Sequence, residues 1–280
     1  MIMPVIVEMR LLPSRPIEPT TRQLHGLACA LFEGPMGALG QAIHASQEKP
    51  FSVWPPRKVP GGWLLRCAWL PHGFPHGMLT ACGQVRLGPV TCTATDIAFR
   101  PAMHTDLADV PLVDGARLTL LSPAYFSRNG VYVAEADPRL IVGSWRRRWN
   151  ASLPAGHELT VSDELFRDIH LALHVTGSGL RTESRDNGYL PRAGLTGTAT
   201  LRLESGASPA VRRGFAMLAR FAEYSGTGAQ VTHGFGATRT TLLHRSWAST
   251  AGADRSQDHD DRPAPAHPHA QRAEAGREHR

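Results

Sequence analysis

The residues that most clearly carry chemistry in this sequence lie in one glycine-rich segment. It follows a predicted helix in which Ser208 can act as the N-cap and Pro209 occupies the first helical position. Glycine lets the backbone approach a ligand closely, and successive backbone N–H groups can form a nest that binds anions. The segment therefore predicts contact with phosphate groups, such as those of a nucleic-acid backbone. Its glycines are Gly226, Gly228, Gly234 and Gly236, and His233 and Phe235 lie next to the last two.

The order of elements separates this segment from the dinucleotide-binding fingerprint. That fingerprint needs a strand, then glycines, then a helix whose N-terminus holds the phosphate. Here the glycines follow the C-terminus of a helix, so a Rossmann site is not predicted. A helix C-cap followed by a tight turn would account for Gly226. It does not account for four glycines within eleven residues.

Pairs of histidines raise the question of a metal site. His72 and His76 lie in a Pro/Gly-rich stretch without cysteine or carboxylate neighbours. His170 and His174 alternate with apolar residues in a predicted strand, residues 165–175, so we expect both on one face of that strand. Neither pair supplies three or four ligands at zinc spacing. We therefore predict neither a metal nor another cofactor.

The composition is that of a globular protein with a polyanionic partner. The chain has 280 residues and a net charge of +6 at pH 7, and all of its 30 basic residues except Lys49 and Lys58 are arginine. A positive body favours nucleic acid as partner, although codon usage also explains the arginine bias. The four cysteines form no CxxC pair, and the sequence shows neither a signal peptide nor a membrane span. We predict a cytoplasmic protein with free thiols.

Two successive sets of elements are predicted to position these residues. The first half reads as strands and helices separated by Pro/Gly turns. Its predicted strands cover residues 4–12, 51–54, 62–70 and 90–100, and its predicted helices cover residues 20–32 and 37–44. The second half begins near Arg117, and it adds helices at 137–150 and from Ser208, and strands at 165–175, 197–203 and 232–243.

These elements predict an α+β protein with two tandem ferredoxin-like (RRM-like) domains and a C-terminal glycine-rich loop. Each half reads as one β-α-β-β-α-β pattern. We place the N-terminal domain at residues 1–114 and the C-terminal domain at residues 115–246. Residues 247–280 are rich in Ala, Asp, His, Arg and Pro without periodicity, which predicts a disordered tail.

Three stretches carry a family resemblance. The helix and the loop YSGTGAQVTHGFG resemble the C-terminal end of the CRISPR repeat-RNA-processing endoribonucleases of the repeat-associated (RAMP) superfamily. Residues 137–150 (DPRLIVGSWRRRWN) are similar to the basic first helix of that family's second domain, and residues 44–55 (HASQEKPFSVWP) to its His…Lys-Pro-Phe segment. The resemblance extends over about residues 3–245. It implies CRISPR repeat RNA, as precursor crRNA, for the partner, with the glycine-rich loop packed against it.

The resemblance also implies a metal-independent cleavage within each repeat. Attack by the 2′-hydroxyl would leave a 2′,3′-cyclic phosphate and a 5′-hydroxyl, which requires a base, an acid and a cation near the phosphorane. His44 lies where the family has its active histidine, with Lys49 five residues on, so we expect His44 as general acid or base and Lys49 as electrostatic stabiliser. Some family members add a tyrosine from the first helix. This chain has none there, and His25 is the titratable side chain that can take over part of the proton transfer.

A dense basic and aromatic cluster lies in the predicted helix 137–150. Three consecutive arginines, Arg146, Arg147 and Arg148, are flanked by Trp145 and Trp149. Arginine suits bidentate phosphate contacts and stacking on bases, so we predict that one or more of the three contact RNA phosphate. The alternative is a solvated helix face that the tryptophans anchor to the sheet.

A second basic cluster surrounds a predicted turn. Asn187 and Gly188 form a typical hairpin signal, and Arg181, Arg185 and Arg192 lie on either side of it. The pattern predicts a basic hairpin that lies beside a stem of RNA, where recognition depends mostly on shape and backbone.

Two other functions fit parts of the pattern. A RAMP protein that binds guide RNA as a structural subunit of an interference complex shares the fold and the loop, and only His44 argues against it. The sequences His44-Ala45-Ser46 and His174-Val175-Thr176 both match H-x-[ST], the paired motif of two-histidine phosphoesterases. The pattern is compatible with association with other CRISPR-associated effector subunits. It is compatible with a monomer and with a homodimer.

Overall fold

The first half of the chain forms one antiparallel sheet. The computed structural model describes residues 4–32, 49–71, 83–186 and 190–244. The strand order in the first sheet is β2-β4-β1-β6-β5, and β3 pairs with β4. The elements are β1 (Val5–Pro13), α1 (Thr21–Phe32), β2 (Phe51–Val53), β3 (Arg57–Val59), β4 (Gly62–Trp69), β5 (Gln84–Leu87), β6 (Val90–Pro101) and α2 (His104–Ala108).

The second half of the chain forms a four-stranded antiparallel sheet with the order β10-β11-β7-β12. A separate short hairpin, β8–β9, precedes its helices. The elements are β7 (Val113–Ala124), β8 (Phe126–Arg128), β9 (Val131–Val133), α3 (Pro138–Ser152), α4 (Asp163–Leu171), β10 (Leu173–Asp186), β11 (Pro191–Leu203), α5 (Pro209–Ser225), a 3₁₀ turn (Val231–His233) and β12 (Thr238–His244).

Both sheets share one strand order. The first strand of each half, β1 or β7, is central, and it lies between β4 and β6 in the first sheet and between β11 and β12 in the second. This order follows from a β-α-β-β-α-β path, because a helix carries the chain past a neighbouring position in the sheet. The predicted α+β class with two ferredoxin-like folds is confirmed.

The strand β1 connects the two hydrophobic cores, because its side chains alternate between the faces of the sheet. Val5, Val7 and Leu11 lie in a core with the apolar face of α1. Ile6 points to the opposite face and packs with Ala68 and Leu70 in the core of the second half. The first sheet is therefore covered on both faces at this end, and the two halves share buried surface.

The helices that flank the candidate site begin and end as the sequence predicts. In α5 the Ser208 hydroxyl accepts a hydrogen bond from the Val211 N–H at 3.3 Å, Pro209 opens the helix, and Gly226 follows its last residue. In α1 the apolar positions from Leu24 to Phe32 are buried. In α3 the Asp137 carboxylate caps the helix by accepting from the Arg139 N–H at 2.8 Å.

One arginine of α5 has an unexpected place. Arg212 is a charged residue in the first turn of the helix, yet it is only 6% exposed. Its guanidinium donates to the Asp114 carboxylate and to four backbone carbonyls, which belong to Val113, Glu204, Ser205 and Ala207. These acceptors tie the start of α5 to the start of β7, so Arg212 has a structural role that periodicity does not reveal.

The predicted strand at residues 165–175 is wrong. Residues 163–171 form the helix α4, and β10 begins only at Leu173. The Ser162 hydroxyl caps α4 by accepting from the Leu165 N–H at 3.1 Å, and two acidic residues in the first turn favour its N-terminus. His170 therefore lies on a helix and His174 on a strand, and the two do not share a strand face.

The final strand begins later than predicted. β12 starts at Thr238 rather than at residue 232, because Gln230 and Gly234 adopt left-handed backbone conformations that enclose a 3₁₀ turn. Strand β5 was not predicted at all. Several predictions lie outside the described residues: the helix at 37–44, His44, His72, His76, Cys82, the Asn187–Gly188 turn and the tail at 247–280.

The described part of the chain supplies four further observations. No described helix combines the length and apolar character that a membrane crossing requires. Cys29, Cys67 and Cys92 form no disulfide within the described ranges. Burial raises the pKa of the Cys67 thiol to about 12, so this thiol stays protonated. No group of three or more potential metal ligands occurs among residues 4–32, 49–71, 83–186 and 190–244.

We expect Arg212→Met to destabilise the protein by about 3–5 kcal/mol, because it removes a buried guanidinium that donates to a half-buried carboxylate and to four backbone carbonyls. The matched control is Arg213→Met, at an exposed position of the same helix turn, with an expected change within about 0.5 kcal/mol. Urea denaturation followed by circular dichroism measures both. Equal stability of the two variants would contradict the structural role of Arg212.

Candidate functional site

Helix α1, the β10–β11 hairpin and the glycine-rich loop (residues 226–237) converge at one place. The Thr21 hydroxyl at the start of α1 donates to the Asp186 carbonyl oxygen of the hairpin at 3.0 Å. From the same end of the hairpin, Arg185 Nη1 donates to the Gly234 carbonyl oxygen of the loop at 3.1 Å. His25 of α1 contacts Thr232 of the loop. Three elements that the sequence separately marked as functional are therefore in direct contact.

Two histidines are stacked at the centre of this contact. The rings of His25 and His233 are nearly parallel, with centroids 3.9 Å apart and an interplanar angle of 9°. His25 Nδ1 lies 3.2 Å from the Thr232 carbonyl oxygen. A carbonyl oxygen only accepts hydrogen bonds, so Nδ1 is the protonated nitrogen and, in the neutral ring, Nε2 carries the lone pair. The Cys29 Sγ, one helical turn further on, lies 3.5 Å from that Nε2.

His233 is held as a neutral ring. Burial, together with the smaller effect of the neighbouring His25, lowers its pKa to about 4. Its Nδ1 lies 3.1 Å from the Thr232 hydroxyl. At neutral pH, His233 therefore contributes a flat apolar face rather than a charge, and it fixes the plane of the His25 ring.

The backbone amides of the glycine-rich loop are largely used within the protein. The amide of Gly228 donates to the Ser144 hydroxyl at 3.0 Å, and that of Ala229 donates to the Tyr125 carbonyl oxygen at 2.7 Å. The amide of Gly236 donates to the Pro123 carbonyl oxygen at 2.9 Å. These amides hold the loop on the end of β7 and on α3. The predicted role of Gly226, Gly228, Gly234 and Gly236 in RNA binding stays a prediction, and these donors are directed at the protein.

The glycines of the loop differ in how much space a Cβ atom would have at each position. A Cβ at Gly228 would overlap the Tyr125 carbonyl oxygen, and a Cβ at Gly236 would overlap the Thr227 carbonyl oxygen. A Cβ at Gly234 would meet no atom closer than 3.9 Å, and its nearest neighbours include the Arg185 guanidinium. All three have positive φ, at +83°, +61° and +82° respectively. Gly228 and Gly236 therefore serve close packing of the loop, and Gly234 serves its backbone conformation.

The three consecutive arginines of α3 have different surroundings. Arg146 donates to the Asp163 carboxylate at 2.6 Å and to the Val161 carbonyl oxygen at 2.9 Å. Arg148 is buried, and its guanidinium donates to the carbonyl oxygen of Gly228 in the loop. Arg147 is exposed. The flanking Trp145 and Trp149 are both fully buried, as the alternative reading of this cluster expects.

A groove runs beside the exposed side of α3. Arg139 and Arg147 line it on the helix, and Gly228 and Ala229 of the glycine-rich loop line it on the other side with Ser127 of β8. Arg147 was predicted to contact RNA, whereas Arg139, which lies two turns earlier on the same side of the helix, was not. The spacing of eight residues in a helix was the signal that could have identified it.

The predicted hairpin arginines lie along β10 and β11. Arg185 and Arg192 are directly opposite one another in the strand ladder. Arg181 is exposed and lies 4.0 Å from the Glu183 carboxylate. Burial lowers the pKa of Arg185, while Glu183 raises it, and the guanidinium lies 6.0 Å from the centre of the Phe235 ring. The hairpin therefore places the positive charge of Arg185 next to the loop residue that follows His233.

The predicted catalytic residues are only partly brought together within the described structure. Lys49 lines a small pocket with Arg148 and Ser152 of α3. It lies two residues before Phe51, whose ring centroid is 6.1 Å from that of His25. His44 lies outside the described residues. His233 was predicted to bind RNA, and its contact with His25 was not predicted. The two residues are far apart in the chain, and no local sequence pattern indicates a contact between them.

We expect Gly236→Ala and Gly234→Ala to differ sharply in stability. Gly236→Ala places a Cβ on a backbone oxygen and should lower the free energy of unfolding by about 3 kcal/mol or more. Gly234→Ala only places an alanine in a left-handed backbone conformation, which should lower it by about 1–2 kcal/mol. Thermal denaturation of both purified variants measures the difference. Equal melting temperatures would contradict the close packing of the loop at Gly236.

The depressed pKa of His233 predicts a pH-dependent stability. Because the unfolded chain binds a proton below about pH 6.5 and the folded chain only near pH 4, folding stability should fall as the pH drops through this range. His233→Phe keeps a flat ring and removes the titration. The difference in melting temperature, wild type minus variant, should therefore decrease from pH 7.5 to pH 5. A constant difference would exclude a buried neutral His233.

Comparisons with known proteins show which family this chain is similar to. The model of the CRISPR-associated endoribonuclease Cas6 family matches residues 118–238, which include the β10–β11 hairpin and the glycine-rich loop. No significant match is found among curated proteins.

Solved structures extend the likeness to most of the chain. A product complex of the Cas6 protein TTHB231 has a TM-score of 0.75 and 29% sequence identity, and covers 85% of this chain and 99% of that chain. A second structure of this Cas6, from Thermus thermophilus, has a TM-score of 0.65, 28% identity and coverage of 86% and 99%. A Cas6-related protein of Pyrococcus furiosus, at 12% identity, a TM-score of 0.51 and coverage of 85% and 98%, shares the fold. The resemblance to the CRISPR repeat-RNA-processing endoribonucleases that the sequence carries is confirmed, by the Cas6 family model over residues 118–238 and by these structures over most of the chain.

Proposed function

We propose that this chain is a metal-independent endoribonuclease that cleaves precursor CRISPR RNA within its repeats. Processing of CRISPR RNA is the function that the Cas6 family supports, and the TTHB231 relative was solved as a product complex. The observation that carries the proposal is the fixed His25 ring, which is stacked on His233 beside the Arg185 guanidinium.

The proposed reaction is a transesterification at one phosphodiester. A base removes the proton of a 2′-hydroxyl, and that oxygen attacks the adjacent phosphorus. The bond from phosphorus to the 5′-oxygen breaks, and an acid donates a proton to the departing oxygen. The products are a 2′,3′-cyclic phosphate and a 5′-hydroxyl. The two proton transfers need groups that titrate near neutral pH, and the charged phosphorane needs a cation.

His25 has the geometry of a proton-transfer group. Its Nδ1–H is bound to the Thr232 carbonyl oxygen, so Nε2 is the nitrogen that exchanges protons with a substrate. The thiol of Cys29, 3.5 Å from Nε2, is a weak hydrogen-bond donor that an RNA hydroxyl can displace. We assign to His44, by resemblance, the complementary role of general acid or base. Lys49 stabilises the phosphorane in this scheme.

The surrounding arginines supply the contacts to the RNA backbone in this proposal. Arg185 and Arg192 lie on the hairpin beside His233, and Arg147 lies on the groove next to the glycine-rich loop. Arg146 and Arg148 hold protein acceptors, so they position the loop and α4. Binding of further effector subunits and the oligomeric state stay predictions.

Cleavage of the repeat RNA of the chain's own locus tests this proposal. In EDTA, wild type should produce a single cut, and His25→Ala and His44→Ala should each slow it by about 10²–10⁴-fold with little loss of RNA affinity. Lys49→Ala should slow it as well. The control is Cys29→Ala, which contacts His25 but transfers no proton, and we expect a rate close to wild type. Gel analysis of end-labelled RNA, with end-group analysis of the products, gives the rates and the cyclic phosphate.

Two results would overturn parts of this proposal separately. Tight binding of the repeat RNA without cleavage by wild type would instead indicate a structural RNA-binding subunit. Cleavage by His25→Ala at the wild-type rate would keep the nuclease and remove His25 from its active site.

A further inference from the structure

Tyr132 exposes an aromatic ring, which we call the apolar patch, and this ring contacts Tyr125 and Arg192. Most large apolar side chains of the described chain are buried, yet Tyr132 of β9 is 46% exposed and its neighbour Val131 is 62% exposed. Leu190, at the end of the β10–β11 hairpin, is 58% exposed. Val131 and Tyr132 are successive residues of one strand, so their side chains point to opposite faces and the Tyr132 ring is exposed separately from Val131. An exposed aromatic ring offers a flat surface on which a ligand can stack.

The patch includes a stacked pair of planar groups. The Arg192 guanidinium lies 4.3 Å from the centre of the Tyr132 ring. The Arg192 Nε is buried and has no hydrogen-bond partner among the described residues, and no carboxylate of the described chain forms an ion pair with it. Arginine stacks on aromatic faces while keeping its charge, so the pair combines a flat surface with a cation.

A continuous series of contacts connects this pair with the stacked histidines. Arg192 is opposite Arg185 in the hairpin, and Arg185 donates to the Gly234 carbonyl oxygen next to His233. On the other side, the buried Tyr125 ring lies 5.3 Å from Tyr132 and 5.3 Å from Phe235 of the glycine-rich loop. Tyr132 and Arg192 are therefore connected to the stacked histidines through the hairpin and through the glycine-rich loop.

We propose that Tyr132 and Arg192 form a stacking platform for one unpaired nucleobase close to the cleaved phosphate. This inference rests on the proposed function, since it assumes that the ligand of the site is RNA. An unpaired base offers a flat face that can stack on the tyrosine ring. The phosphate of the same nucleotide offers a negative charge that can pair with the Arg192 guanidinium. Protein–RNA recognition commonly stacks bases on aromatic rings and on guanidinium planes.

The charges around the patch favour RNA over a protein partner. Arg181, Arg185 and Arg192 all lie on the same hairpin, which also carries the acidic residues Glu183 and Asp186. Three cations beside a small apolar surface attract a polyanion, whereas a stable protein interface buries about 800 Å² on each partner. The β8–β9 hairpin has only six strand residues, which suits one base.

Conservative substitutions at positions 132 and 192 can test whether a base stacks on this platform. Phenylalanine at position 132 keeps a ring on which a base can stack, and alanine does not. Lysine at position 192 keeps the charge for a phosphate and loses the planar group. The two conservative variants therefore separate stacking from simple electrostatic attraction.

The test uses the full chain and the repeat RNA of its own locus. The RNA carries a 2′-O-methyl group at the cleaved nucleotide, mapped beforehand with wild type, so that binding is measured without cleavage. Fluorescence anisotropy compares wild type with Tyr132→Ala, Tyr132→Phe and Arg192→Lys. The matched control is Val131→Ala, the exposed neighbour on the same strand. A second set of RNAs places 2-aminopurine at each unpaired position near the cut, because stacking quenches its fluorescence.

We expect Tyr132→Ala and Arg192→Lys to bind about 5- to 150-fold more weakly than wild type, the range that corresponds to one lost base stack. Tyr132→Phe and Val131→Ala should bind as wild type does. One 2-aminopurine position should be quenched by wild type and by Tyr132→Phe, and should remain bright with Tyr132→Ala.

The possible failures are distinguishable. If wild type binds and cuts the RNA but Tyr132→Ala binds as tightly as Tyr132→Phe, the platform is overturned and the nuclease stands. If Arg192→Lys retains full affinity and quenching, the contact is electrostatic and the stacking role of Arg192 is overturned. If wild type binds no repeat RNA, the platform falls together with the proposed function.

Discussion

The conformation of the glycine-rich loop is the constraint on which the rest of the site depends. Its amides are tied to Pro123, Tyr125 and Ser144, and its glycines allow a backbone path that a Cβ at Gly236 would block. Because the path is fixed at these points, Thr232 presents its carbonyl oxygen to His25, and His233 lies flat against the same ring. A loop of this kind acts by holding other groups in place, which is a different use of glycine from a nest of open amides.

Arginine has two uses in this protein, and the sequence does not separate them. Arg148 and Arg212 are buried donors that satisfy backbone carbonyls at the ends of elements, where no helix or strand partner is available. Arg147 and Arg181 are exposed beside the loop and on the hairpin. Both kinds occur within helices and strands of similar composition. Only the acceptors around each guanidinium, which come from distant parts of the chain, decide which use applies.

Features that depend on nearby residues could be predicted from the sequence. Features that depend on contacts between distant residues could not. The positions of α1, α3 and α5, the Ser208 cap of α5, the basic hairpin and the double fold were predicted, because each depends largely on patterns within short stretches of the chain. The alternation of His170 and His174 with apolar residues suggested a strand, yet the Ser162 cap and the acidic first turn make a helix there. The contact of His25 with His233 joins residues more than two hundred positions apart, and no local pattern encodes it.

The neutral state of His233 bears on how a proton-transfer group can work next to RNA. A polyanion attracts protons to nearby histidines, so an exposed pair would tend to become doubly charged when RNA binds. Burial of His233 opposes this, and its neutral ring leaves His25 without a second cation at stacking distance. The Thr232 carbonyl oxygen accepts from His25 Nδ1 in either protonation state, so only Nε2 gains or loses a proton. The loop thereby determines which nitrogen faces the chemistry and how many charges the pair can carry.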